Sequence, residues 1–368
     1  MNISSFLIGP RRRQGGVLAL TALGGFVLLG TWLAPRGLFQ GYWYGLMFWT
    51  ELSIGCLIVA LLQFLTGGLW GRVAFPFLRV GISGLYGLIP LFVPPLLALR
   101  VIFPWATAAT ESPRAWLNPT GFVLRAIFYL AALVAIAAWT RNRIGQGDPA
   151  AKWAGPLLAA VILLLSLASC DWMMSLQLDF YSSLYPFLYF SGAMVAVFSL
   201  LCAVSARLRV QGDWPECPEV LHDLGKLLFA AVLFWGYLVF SQFIIVWSGN
   251  LPREAAWYVA RTSQGWLPFT LAVLTFHFAI PFCLLLSQRL KKDPLRLGLV
   301  AGALFLVHFA EVWWMTRPRL SHGFHVDLLG LLAALLIGAW WVWSVGAFFP
   351  EAIAVSRNIL RNEGNRDE

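Results

Sequence analysis

Charge is scarce in this 368-residue chain: Asp, Glu, Lys and Arg make up only 12% of it, against about 25% in a soluble domain. Cysteine is scarce as well. The five cysteines (Cys56, Cys170, Cys202, Cys217 and Cys283) form no C-x-x-C, no C-x-x-C-H and no ferredoxin-like spacing. That removes any recognisable iron–sulfur or c-type haem site and leaves them as small packing residues. Long polar segments are also missing. The longest connections, near 100–120, 206–224 and 249–265, are about 20 residues each, too short for a soluble domain. Any redox cofactor serving this chain must therefore sit between its helices or on a partner.

What fills the chain is apolar: 60% hydrophobic residues and a mean hydropathy of +0.74. The apolar runs are continuous rather than alternating, which excludes a β-barrel and predicts an all-α polytopic membrane protein. About ten transmembrane helices are expected, near 16–34, 42–65, 77–99, 121–140, 154–172, 184–205, 225–248, 266–287, 295–315 and 326–349. They make one integral-membrane domain with a short N-terminus, 1–15, and a short tail, 350–368. Arg11–Arg13 followed by Gly15–Ala34 resembles a signal peptide, but the run is too long for one and reads as a retained first helix.

The net charge of +9 is not a nucleic-acid signal, because its distribution follows the helices. Of 26 Lys and Arg, 18 fall on the side of the N-terminus and 8 on the other, and all four lysines are in the larger group. The positive-inside rule then predicts both termini in the cytoplasm.

Ionisable side chains inside such helices are costly and mark pathways, pockets or internal pairs. Glu51 lies about nine residues into its expected span, which places it some 13 Å deep in the outer leaflet. It reads either as a structural hydrogen bond between helices or as a proton-pathway carboxylate. Asp171 ends one apolar run, inside the stretch Ser169–Ser183 (SCDWMMSLQLDFYSS). It is a helix-end cap, a satisfied pair or a pathway group. His277 falls at the middle of its span and His308 slightly outward of its own, with Glu311 three residues on along the same face. The two histidines suit buried hydrogen bonding or a proton relay, and could ligate at most one haem. Asp327 opens the last span. Glu51, Asp171, His308, Glu311 and Asp327 are thus expected in the outer half, with the inner half nearly free of ionisable groups. That suits a half-channel opening outward, or a polar pocket reached from that side. No residue stands out as a certain catalytic group or metal ligand.

In helix 3, Gly81, Gly84 and Gly87 predict close helix packing, and Pro90, Pro94 and Pro95 predict a kink. The SGNLPRE turn, with Asn250, Arg253 and Glu254, reads as an interface or partner-docking element, with Trp257 and Tyr258 at headgroup level.

The D-W-x-M-S-L run from Asp171, the SGNLPRE segment, Glu51–Gly71 and Phe276–Pro294 together resemble the polysulfide-reductase/NrfD-like membrane subunits. Among these the chain is most similar to the ActF-type subunits of alternative complex III, a quinol:cytochrome c (or other acceptor) oxidoreductase. It departs from them at Gln177–Phe180, where relatives carry a proline and a tryptophan. The resemblance implies a pair of four-helix bundles plus flanking helices in the bacterial inner membrane. It also implies a homologous NrfD-like quinol-binding subunit alongside, and periplasmic iron–sulfur and multihaem cytochrome c partners. In that setting this chain holds no covalent cofactor, has quinone or quinol at or near it, and serves assembly and quinol-linked proton conduction. The other reading of the same buried acids and histidines is a proton-coupled secondary transporter, which needs polar groups continuing to the inner side. A lipid-linked glycosyltransferase wants acidic residues in the first outer loop, and residues 35–41 have none.

Overall fold

The computed structural model describes residues 21, 24–25, 27–32, 35–107, 116–143, 151–178, 180–215, 218–318, 320 and 323–367. Most of the first expected span, the N-terminus before it and Asp179 lie outside these residues. Among those described there is no strand, and nine helices are long and apolar enough to cross a membrane. The chain is an all-α polytopic membrane protein.

We number the helices α1 (Pro35–Thr66), α2 (Leu69–Leu88), α3 (Pro119–Arg143), α4 (Ala151–Trp172), α5 (Tyr185–Val210), α6 (Pro218–Gly249), α7 (Pro252–Thr262), α8 (Leu267–Leu285), α9 (Pro294–Thr316), α10 (Leu328–Val345) and α11 (Phe349–Asp367). Helix α1 is the hub, packed against α2, α4, α5, α9 and α10. It is apolar all round, as a helix enclosed by others must be. Helices α1–α4 form one group of neighbours and α5, α6, α8 and α9 a second, while α10 and α11 close over α1 and α2.

Two local features position the site. Glycine faces allow close contact: Gly41 meets the backbone of Gly330, and Gly45 meets Ala334. Membrane helices use small residues in this way, because van der Waals contact replaces the hydrophobic drive available in water. Gly81, Gly84 and Gly87 of α2 likewise face Cys56, Trp341 and Ser344. The expected kink follows, where α2 gives way to a 3-10 turn at Ile89–Phe92 and short helices to Ile102.

The second feature is a π-helical turn, Leu274–Ala279, inside α8, where the Ile280 amide bonds to the Thr275 carbonyl five residues back. Pro281 follows. Its missing N–H and its ring bar the ordinary bond to the carbonyl of residue 277, and widening the turn relieves both.

Two boundaries differ from the sequence reading. Helix α1 starts at Pro35 rather than 42, so Glu51 stands at its middle rather than nine residues from its start. The polar Gln40 that blurred this start is tolerated because Arg317 Nη1 donates to it at 2.8 Å. The tail expected from 350 is helical through Asp367. Ser356 Oγ donates to Val73 O, Arg72 pairs with Glu363, and Arg357 pairs with Asp213.

Candidate functional site

Four of the six ionisable candidates converge at mid-bundle. Glu51 comes from α1, His308 and Glu311 from one face of α9, and His277 from the π turn of α8; all are buried. His308 has a neighbour at each ring nitrogen. Its Nε2 lies 3.2 Å from Glu51 Oε1. Its Nδ1 lies 3.2 Å from His277 Nε2 and 3.5 Å from Glu311 Oε2. Trp235 of α6 donates to Glu311 Oε1 at 3.4 Å and holds the His277 ring at a centroid distance of 4.2 Å.

The Glu51–His308 approach is short but off the hydrogen-bond axis, and among the described residues no donor is aligned on either Glu51 oxygen. An unsatisfied carboxyl in an apolar interior is costly. Room for the approach comes from Gly192 of α5. A methyl group there would stand 2.8 Å from Glu51 Oε1 and 2.8 Å from His308 Cε1. The direct contact of the two imidazoles also leaves no space for a haem between them. Among the described residues, no group of three or more His, Cys, Asp or Glu is placed to hold a metal ion.

Asp171 and Asp327 do not join this cluster. Arg125 of α3 grips Asp171 with two bonds, at 2.6 and 3.0 Å, while Tyr129 Oη donates at 3.0 Å and Trp116 Nε1 at 2.8 Å. The guanidinium also covers the Trp116 ring at 4.2 Å. This is a fully partnered buried ion pair joining α3 to α4. The residues after it build the same scaffold: Ser175 Oγ donates to the Asp171 carbonyl, and Trp105 Nε1 donates to Ser175 Oγ at 3.2 Å. Asp327 accepts from Arg317 at 3.2 Å and caps α10 through the Gly330 amide at 3.2 Å. Arg317 is itself buried, which lowers its pKa, and Asp327 opposes that shift.

The SGNLPRE turn does form a short helix, α7, after Asn250 takes a left-handed φ of 47°. Asn250 and Arg253 are exposed and Glu254 is half-buried. Trp257 is buried within the chain, stacked on Phe180 at 5.4 Å. The reason is Arg261, one turn further on and wholly buried. Its guanidinium sits 3.5 Å over the Trp257 ring and donates to Trp257 O at 2.9 Å and Met315 O at 2.7 Å. With the Gln177 amide turned so that its oxygen faces the guanidinium, that oxygen accepts at 3.1 and 3.2 Å. Burial lowers the Arg261 pKa to about 9, partly offset by Tyr185, Tyr258 and Glu311.

Reading the sequence for buried acids and histidines finds the cluster's titratable members but misses Gly192, Trp235 and Arg261. The first two carry no charge to notice. Arg261 sits in a polar connection where an arginine ordinarily faces water. Compared with family models and with curated proteins, the chain matches none.

Proposed function

We propose that this chain is an integral-membrane subunit of a quinol-oxidising respiratory electron-transfer complex in the bacterial inner membrane, both termini cytoplasmic, where it conducts protons linked to quinol oxidation and supports assembly. The observation that carries the proton role is His308 flanked on both nitrogens, with Glu51 approaching one and His277 and Glu311 the other. An imidazole can take a proton on one nitrogen and release one from the other, and its ordinary pKa sits near neutrality. Carboxyl groups at either end are suitable donors and acceptors, and burial among Phe48, Trp235 and Tyr189 keeps bulk water from short-circuiting the exchange. Oxidation of a quinol releases two protons that need such acceptors. The redox partners follow from the resemblance: a homologous NrfD-like subunit that binds quinol, an iron–sulfur protein and a multihaem cytochrome c. This chain supplies the proton relay and a surface for them.

Two measurements test the reading. Affinity purification from native membranes should bring down a second polytopic subunit, an iron–sulfur protein and c-type haem visible in a reduced-minus-oxidised spectrum. A lone, colourless protein would move the reading to a proton-coupled transporter. In the purified complex, Glu51→Gln should slow quinol-coupled proton movement at least tenfold with assembly intact, and unchanged coupling would sink the relay.

A further inference from the structure

Arg261 is a buried cation with no carboxylate within 4 Å among the described residues, and the cluster is a pair of buried carboxyl groups with no cation of its own. The two halves of this imbalance lie close together. Arg261 donates to the carbonyl of Met315, four residues beyond Glu311 on α9, or about 6 Å along the helix axis. Arg261, Tyr185 and Glu311 are within electrostatic reach of one another.

Among the buried cations, Arg261 alone is placed to matter here. Arg317 is taken by Asp327. Lys291 stands over Phe229 on the opposite, cation-rich side. The other groups facing Glu311 are neutral or acidic in their usual forms: Tyr44 and Glu51 from α1, Tyr185 and Tyr189 from α5, Trp235 from α6, His277 from α8, and His308 on its own helix.

Arg261 cannot escape this position. Its guanidinium is held by the Trp257 carbonyl of its own helix, by the Met315 carbonyl in the last turn of α9, whose end carries partial negative charge, and by two indole faces, Trp257 at 3.5 Å and Trp314 at 5.2 Å. Those dipoles solvate the charge without neutralising it. A low-dielectric interior favours local electroneutrality, so a fixed positive charge calls for one nearby negative charge.

We propose that Arg261 is the fixed counter-charge of the buried cluster, holding Glu311 as a carboxylate while Glu51 keeps its proton. The cluster then rests one proton short of full, with the vacancy on the Arg261 side. A proton arriving through Glu51 and His308 has an acceptor waiting, and the same positive charge favours its onward release. The assignment makes Arg261 a positioning residue for charge. It takes its purpose from the relay reading above.

The test is infrared difference spectroscopy on the full chain in its purified membrane assembly at pH 7. Arg261→Gln should gain one protonated-carboxyl stretch per chain over the parent, and the double variant Arg261→Gln/Glu311→Gln should lose that gain. Arg261→Lys, which retains the charge, should match the parent. If the glutamine variant gains no carboxyl at Glu311, or the lysine variant gains one equally, Arg261 is only a structural tie between α7 and the end of α9 and the proposal fails. Retained elution volume and helical circular dichroism qualify each variant. The spectrum does not depend on proton transport, so if the glutamine variant shows the gain while the parent assembly itself moves no protons, the relay is refuted and the counter-charge stands.

Discussion

His308 Nε2 and Glu51 Oε1 meet at 3.2 Å across a gap that exists because residue 192 of a third helix has no side chain. Three helices therefore define one contact, and the smallest residue among them sets its length.

Gly192→Ala tests that dependence. The added methyl would press on both partners at 2.8 Å, so the carboxyl and the imidazole must part or the helices must shift. Overpacking of this kind costs about 1–3 kcal/mol. Thermal unfolding in detergent should register that loss, and quinol-coupled proton movement should fall with it. A variant of unchanged stability and unchanged coupling would show that the contact has slack elsewhere.

Arg125→Met tests the opposite kind of site. Asp171 is almost wholly enclosed, and its partner keeps about a fifth of its side-chain exposure. Removing the guanidinium strands a buried carboxylate, which costs about 3 kcal/mol, the low end of the range for buried pairs. Stability should drop by that amount. In material that still assembles, the cluster around His308 should keep its infrared signature. A large loss of proton coupling in stable protein would return Asp171 to the pathway.

Arg253→Ala addresses the exposed turn before α7. Stability should change by less than about 0.5 kcal/mol, as for other surface positions. If the turn docks a peripheral partner, the variant should lose that partner during purification while the parent retains it. A fully retained complement would reject a docking role for this residue.

How far the sequence reaches can be followed through single residues. Hydropathy located each described span, because bilayer thickness demands a run of about twenty apolar residues and nothing else in the chain supplies one. It started α1 too late, since hydropathy treats Arg36 and Gln40 as interface residues. It cannot know that Gln40 is matched by Arg317, 277 residues away. Ionisable type was enough to name Glu51, His277, His308 and Glu311, as charge inside an apolar run is conspicuous. The same signal also named Asp171 and Asp327, and only pairing distinguishes them: both found an arginine, one on α3 and one at the end of α9. Arg261 was invisible for the converse reason. A short polar connection gives no sign that two tryptophans and the end of α9 will enclose it.

The glycine seam between α1 and α10 has a consequence for how the protein is made. Along the same interface Trp341 Nε1 donates to Ser53 Oγ, a contact between residues 288 positions apart. At about 5–20 residues per second, a ribosome takes roughly a quarter of a minute to a minute to cover that distance. For that interval α1 lies in the bilayer with its closest neighbour not yet synthesised. Its glycine face is open to lipid and to whatever insertion machinery attends the nascent chain. The hub of the finished fold is thus one of the first helices in and the last to be sealed, which makes the arrival of α10 the committing step of biogenesis.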